Sequence, residues 1–217
     1  VCHIKSVKNE ISFSAIPNTA ARKLAQATKD VFPQFISVEN VIETSLNNSN
    51  PVLHTPITLF NITRIENGED YLFYDTAATR LTIAFAEKID AERCKVIEAI
   101  GSKAQTCLEI INSFWPDKYD TLYDVIKNNK NYMSGKGPKS LDYRYLTEDL
   151  PYGIAPLSVL GKKYGVPTPC IDTMLNCFYY LLDKDYMKLA PDLTKTDITS
   201  HYIMGGEYSE SGRNGND

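Results

Sequence analysis

Three absences narrow this 217-residue sequence before any motif is read. No apolar run approaches the roughly 18 residues that a membrane-spanning helix needs. No long run of Lys or Arg interrupts a formal net charge of -4, and the pI is near 5.5, which argues against a nucleic-acid-binding role. The five cysteines (Cys2, Cys94, Cys107, Cys170 and Cys177) are odd in number and contain no C-x-x-C pair, so disulfide-framework and zinc-ribbon readings both fail and no metal site is expected. Isolated, mostly apolar-flanked cysteines suit a reducing compartment, and the expectation is a cytoplasmic protein. An initiating Met is also lacking: Val1 opens the chain inside an apparent strand, and a piece of a longer polypeptide is expected.

What is present is globular. Hydrophobic residues make up 43% and charged residues 23%, enough for a buried core. Residues 1–16 read as two short strands around the polar turn Val7-Lys8-Asn9, a β-hairpin that needs a sheet or helix to lean on. A helix is predicted from about Ala20 to Asp30, with Leu24, Ala27 and Val31 as its apolar stripe and Pro33 ending it. Gln34 to Val38 reads as extended and Glu39 to Leu46 as helical. Asn47-Asn48-Ser49-Asn50-Pro51 both breaks and starts a helix: Asn50 is expected to cap it, with Pro51 in the first position. That helix runs to about Ile62, with Leu53, Ile57 and Phe60 on its apolar side and His54 beside them.

The longest periodic stretch, Thr76 to Ile100, carries Leu81, Ala84, Phe85, Ile89, Val96, Ile97 and Ile100, with Gly101 as its stop. Further helices are predicted over about Lys103 to Phe114, Asp120 to Lys127, Pro151 to Tyr164, and Pro169 to Leu182, with one helical turn at Tyr145 to Asp149. Gly205 to Asp217 is polar and glycine-rich, and is expected to be disordered. The fold class is mainly α, a multi-helix bundle with a short N-terminal hairpin.

Two stretches carry chemistry-bearing residues. His54 alone supports two readings: a ring satisfied in a core, or a general acid/base whose ordinary pKa of about 6.5 lets it trade protons near neutral pH. The stretch from Asp142 to Gly153 concentrates Arg144, Tyr145, Glu148 and Asp149. Its acids equally serve to cap and charge the start of the next helix. Arg144 is the residue type that clamps a carboxylate with two parallel hydrogen bonds, and an acid beside a histidine orients its ring.

Taken together, Asn50-Pro51-x-x-His54, then Gly137-Pro138-x-x-Leu141-x-x-Arg144-Tyr145-Leu146-Thr147-Glu148-Asp149-x-Pro151-Tyr152-Gly153, then Leu160-Gly161 and Gly165-Val166-Pro167-Thr168-Pro169, resemble the helical carboxy-terminal domain of the octopine/nopaline (opine) dehydrogenase family. The likeness covers about residues 35–190. One departure is Thr55, where relatives often carry proline after the histidine.

The resemblance implies a helical domain of the 6-phosphogluconate-dehydrogenase C-terminal type. Residues 1–33 would be the closing hairpin and helix of a largely absent dinucleotide-binding domain, 34–192 the substrate/catalytic domain, and 193–217 a tail. It also implies an NAD(P)-dependent reductive condensation of an amino acid with a 2-oxo acid such as pyruvate. His54 and Asp149 would form the catalytic pair, and Arg144, Tyr145 and Asn50 would be substrate-binding candidates. NAD or NADP is expected in the full-length protein, bound by its own N-terminal Rossmann domain. This chain has no G-x-G-x-x-G turn after a strand, so no cofactor is expected on it alone, and alone it is expected to be inactive.

Two other readings stand beside this one. The first is a non-catalytic helical binding or dimerisation domain that retains the fold. The second is another dehydrogenase with a Rossmann-plus-helical layout, such as a ketopantoate reductase or glycerol-3-phosphate dehydrogenase relative, against which the Arg144–Gly153 stretch speaks. A homodimer is expected because the N-terminal strands would expose pairing edges.

Overall fold

The computed structural model describes residues 6–198. The amino-terminal region is a parallel strand pair joined by a helical crossover. Strand β1 (Ile11–Phe13) leads through a 3-10 turn (Asn18–Ala20) and helix α1 (Ala21–Ala27) to β2 (Phe35–Ser37). The register pairs Ile11 with Phe35, Ser12 with Ile36 and Phe13 with Ser37. This corrects the expected hairpin. Its first strand, at residues 1–5, lies outside the described residues, and the pairing found is parallel, which requires a crossover rather than a tight turn. The Asn9 amide, in the expected turn, instead donates to the Phe114 carbonyl at 2.7 Å. The predicted α1 stripe is not buried: Leu24, Ala27 and Val31 are all exposed, and the helix buries only Ala21. The expected disorder of residues 205–217 lies outside the described residues.

From residue 41 the chain is helical: α2 (Val41–Leu46), α3 (Ser49–Leu59), α4 (Ile62–Glu66), α5 (Arg80–Ile100), α6 (Cys107–Phe114), α7 (Leu122–Asn128), α8 (Arg144–Thr147), a π-helical turn (Leu150–Ile154), α9 (Ala155–Tyr164), α10 (Pro169–Leu182) and α11 (Tyr186–Leu189). The mainly helical class read from the sequence is what the structure has. Most starts are capped as their chemistry dictates. Thr79, Thr106 and Thr121 accept the third amide of α5, α6 and α7, and Thr106 with Glu109 closes a reciprocal capping box. Gly101 and Gly165 end α5 and α9 with φ of 90° and 71°, left-handed values that a side chain would strain.

Helix α5 is the axis of the bundle, packing against α2, α3, α7, α9 and α10. Its buried face runs through Ile83, Ala86, Ile89, Asp90, Arg93, Val96, Ile97 and Ile100. Leu81 and Ala84, placed on that face by the sequence pattern, are exposed, because the buried face starts through Thr82, Ile83 and Ala86 instead. Arg93 is 1% exposed and fully committed. It pairs with Asp90 at 2.8 Å and donates to the Leu46 carbonyl at 2.9 Å, the Asn47 side chain at 3.0 Å and the Gln105 carbonyl. Glu92, on the same helix, accepts from the Cys170 and Ile171 amides at 2.8 and 2.9 Å and so caps α10 from outside. Among the described residues, no helix is long and apolar enough to cross a membrane.

Candidate functional site

Helix α3 is nearly surrounded. Nine of its eleven residues, from Ser49 and Pro51 to Thr58, are buried, its one histidine among them. The cap is Asn48, whose side chain accepts from the Asn50 amide at 3.1 Å; Asn50, expected in that role, sits one position inside the helix and is exposed. The shift follows from Ser49, which already has helical geometry and is buried. The Phe60 ring, expected on the apolar side, is exposed because α3 ends at Leu59.

His54 and Asp149, 95 residues apart, meet at 2.7 Å between Nδ1 and Oδ2. Each is 7% exposed. An ionised carboxylate only accepts, so Nδ1 carries the proton and Nε2 is left as the acceptor in the neutral ring. Nε2 faces the Tyr74 hydroxyl at 2.8 Å, which therefore donates to it. Tyr145 stacks on the imidazole with ring centres 4.0 Å apart and planes 29° apart, and Phe73 meets the ring edge-on at 5.8 Å. Both nitrogens and one face of the ring are thus occupied.

The π-helical turn delivers Asp149. Its first residues, Leu150 and Pro151, follow directly after the carboxylate, and the wider turn replaces the start of an ordinary helix. Such turns often sit at functional sites. Leu146, Leu150 and Ile154 are fully buried and anchor the segment.

Tyr74 is held by a strand-like bridge the sequence did not signal. Leu72 pairs antiparallel with Lys136, the Phe73 amide donates to the Gly135 carbonyl at 2.7 Å, and the Gly137 amide to the Tyr71 carbonyl at 2.9 Å. Gly137 is required there, since a Cβ would collide with the Tyr71 ring. Tyr132 packs edge-on against Tyr74 at 4.7 Å. Burial holds the Tyr74 hydroxyl well above the usual tyrosine range, and the nearby Tyr145, Tyr132 and Asp149 push the same way. Burial, assisted by Tyr143, raises Tyr145 to about 12. Tyr74 and Phe73 were missed in the sequence. Their only signal is the aromatic run Tyr71-x-Phe73-Tyr74 after the Asn67-Gly68 turn.

The other candidates are placed differently. Tyr145 joins the histidine. Arg144 does not: it pairs with Glu148 at 3.4 Å, and both remain more than half exposed. Asn50 lines a cleft of about 500 Å3 between the strand pair and the start of the helical region, together with Ser12, Ser37, Glu43, Asn47 and Lys103.

Residues 37–182 match the family described as NAD/NADP octopine/nopaline dehydrogenase, alpha-helical domain. The chain belongs to this family. An opine dehydrogenase of Arthrobacter sp. (strain 1C) is 33% identical over 202 residues, 93% of this chain and 56% of that protein. A vitopine synthase of Allorhizobium ampelinum is 25% identical over 131 residues, 59% of this chain and 36% of that protein. The chain spans about half the length, or less, of these curated relatives. Among solved structures, an octopine dehydrogenase in complex with NADH and agmatine superposes with a TM-score of 0.60 at 21% identity, over 75% of this chain and 45% of that one, a likeness of fold.

A dinucleotide does not fit the β1–α1 segment. That connection, residues 14–20, contains no glycine to let a backbone approach a pyrophosphate, and α1 has only seven residues. This segment supplies no dinucleotide cradle of its own.

Proposed function

We propose that this chain is the substrate-binding and catalytic helical domain of an NAD(P)-dependent opine dehydrogenase, which joins an amino acid to a 2-oxo acid such as pyruvate by reductive condensation. The observation that carries the proposal is the buried His54–Asp149 pair, brought together across 95 residues inside the matched segment. Hydride supply is assigned to a dinucleotide held by the protein's own N-terminal Rossmann domain. Solved octopine dehydrogenase structures with NADH and L-arginine, and with NADH and pyruvate, support that assignment.

The proton chemistry belongs to this chain. Condensation of an amine with a ketone needs a proton on the keto oxygen as the amine attacks, and a proton again when the hydroxyl of the carbinolamine leaves as water. His54 is the donor for both, regaining its proton between the two steps from the ammonium nitrogen that the amine's attack creates. Asp149 fixes the Nδ1–H tautomer and stabilises the imidazolium by a charge-assisted hydrogen bond in a site shielded from water. Tyr145 holds the ring by stacking. Arg144, Tyr145 and Asn50 are the proposed substrate contacts, with Arg144 exchanging Glu148 for a substrate carboxylate. The expected boundaries at residues 33 and 192, a cytoplasmic location, a homodimer and inactivity of this chain alone are parts of the same proposal.

The test is NAD(P)H oxidation by the full-length protein with pyruvate and a panel of amino acids, run beside His54→Ala. Turnover that requires both substrates and falls by about 100-fold or more in the variant is the expected result. Retention of activity in His54→Ala would remove the histidine from the mechanism.

A further inference from the structure

We propose that Tyr74 is the proton-relay residue of this site, passing the proton between His54 Nε2 and the oxygen of the substrate. The inference rests on the opine dehydrogenase reading and deepens it. The geometry leaves few routes. His54 Nδ1 is committed to Asp149 at 2.7 Å, one ring face is covered by Tyr145, and the Phe73 edge closes in at 5.8 Å. The remaining nitrogen, the only one that can deliver a proton while Asp149 holds the other, meets the Tyr74 hydroxyl at 2.8 Å. His54 is 7% exposed, and Tyr74 is half-buried as a residue with its hydroxyl buried beside Nε2.

A hydroxyl both donates and accepts, so its direction reverses with the charge of the histidine. Against neutral His54, Tyr74 donates to Nε2. Against the imidazolium, Nε2–H donates to the Tyr74 oxygen, and the Tyr74 O–H turns outward. In the transfer, the Nε2–H bond breaks as an O–H bond forms on Tyr74, and the former Tyr74 O–H proton goes to the keto or carbinolamine oxygen. Tyrosine ends neutral, as it began, the imidazole ends neutral, the substrate oxygen gains one proton, and no electrons are exchanged. Burial keeps the Tyr74 hydroxyl protonated far above its ordinary range, so it releases one proton only as it receives another. The bridge between residues 72 and 136, together with Tyr132, fixes the ring in place for this role.

The experiment uses the full-length protein: kcat, KM for each substrate and thermal unfolding for wild type, His54→Ala and Tyr74→Phe. The expected result is a fall in kcat of about 100-fold for Tyr74→Phe, with both KM values within about threefold of wild type and an unchanged melting temperature. A kcat within about threefold of wild type in Tyr74→Phe, with His54→Ala inactive, overturns the relay and leaves the opine dehydrogenase reading standing. A wild-type protein inactive with every substrate pair overturns both. If Tyr74→Phe melts early, the dependence of wild-type kcat on the deuterium content of the solvent decides. A curved dependence shows two protons in flight, as the relay requires, and a linear one shows direct transfer and overturns it.

Discussion

Gly153 and Pro51 touch where no side chain can stand between them: a Cβ on Gly153 would lie 2.6 Å from the Pro51 Cβ. Pro51 begins the turn of α3 that carries His54, and Gly153 lies in the π-helical turn that follows Asp149. This contact sets how closely the two halves of the histidine–carboxylate pair approach.

Gly153→Ala is therefore expected to cost about 1–3 kcal/mol, the usual penalty for an extra methyl in a packed contact. It is also expected to lower kcat by moving Asp149 away from His54. Denaturant unfolding and steady-state kinetics of the full-length protein check both effects. Wild-type values in both would show that the contact relaxes freely.

Asp149→Asn keeps an oxygen to accept from Nδ1 but removes the charge that stabilises the imidazolium. The expected outcome is a loss in kcat of about 100-fold with little change in stability. Steady-state kinetics and a melting curve test it, and wild-type kcat would deny Asp149 its orienting role.

Arg93→Met is expected to destabilise the fold by about 3–5 kcal/mol, since it leaves the Asp90 carboxylate charged in the core without its partner. Arg93 also ties α5 to the end of α2 and to the Gln105 carbonyl, so those contacts are lost together. Urea unfolding of the variant measures the change, and a loss below about 1 kcal/mol would show that the pair contributes little.

Alkaline conditions should weaken the fold. The folded state holds Tyr145 protonated to about 12 against an ordinary 10.0, and burial also raises Tyr74 well above that ordinary value. Cys94 is raised by burial to about 11 from 9.0. Each group keeps its proton in the folded chain after the unfolded chain has released it. The stability they contribute is thus full below about pH 9 and is lost as pH rises through 9 to 12. Urea midpoints measured from neutral pH to about pH 12 should fall across that window, and Tyr145→Phe should make the fall shallower between 10 and 12. A midpoint constant to pH 12 would contradict the burial of these hydroxyls.

Much of the helical layout was legible in the sequence because its signals are local. Gly101 and Gly165 mark helix ends, and Pro169 opens a stretch whose Ile171, Met174, Leu175 and Phe178 are all buried. Both strands were read as extended, but their parallel pairing was not legible, because the partner of β1 lies across a helix rather than across a turn.

The sequence by itself determined the helical class, most helix ends and, through residue types at characteristic spacing, the family and the candidate pair His54 and Asp149. Tertiary structure alone decided what surrounds that pair. It stacked Tyr145 on the ring, left Arg144 in solvent with Glu148, and brought Tyr74 to Nε2. The physical reason is range: caps and amphipathic stripes are written within a few residues, whereas a hydrogen bond between residues 20 or 95 positions apart exists only once the core has packed and excluded water around it.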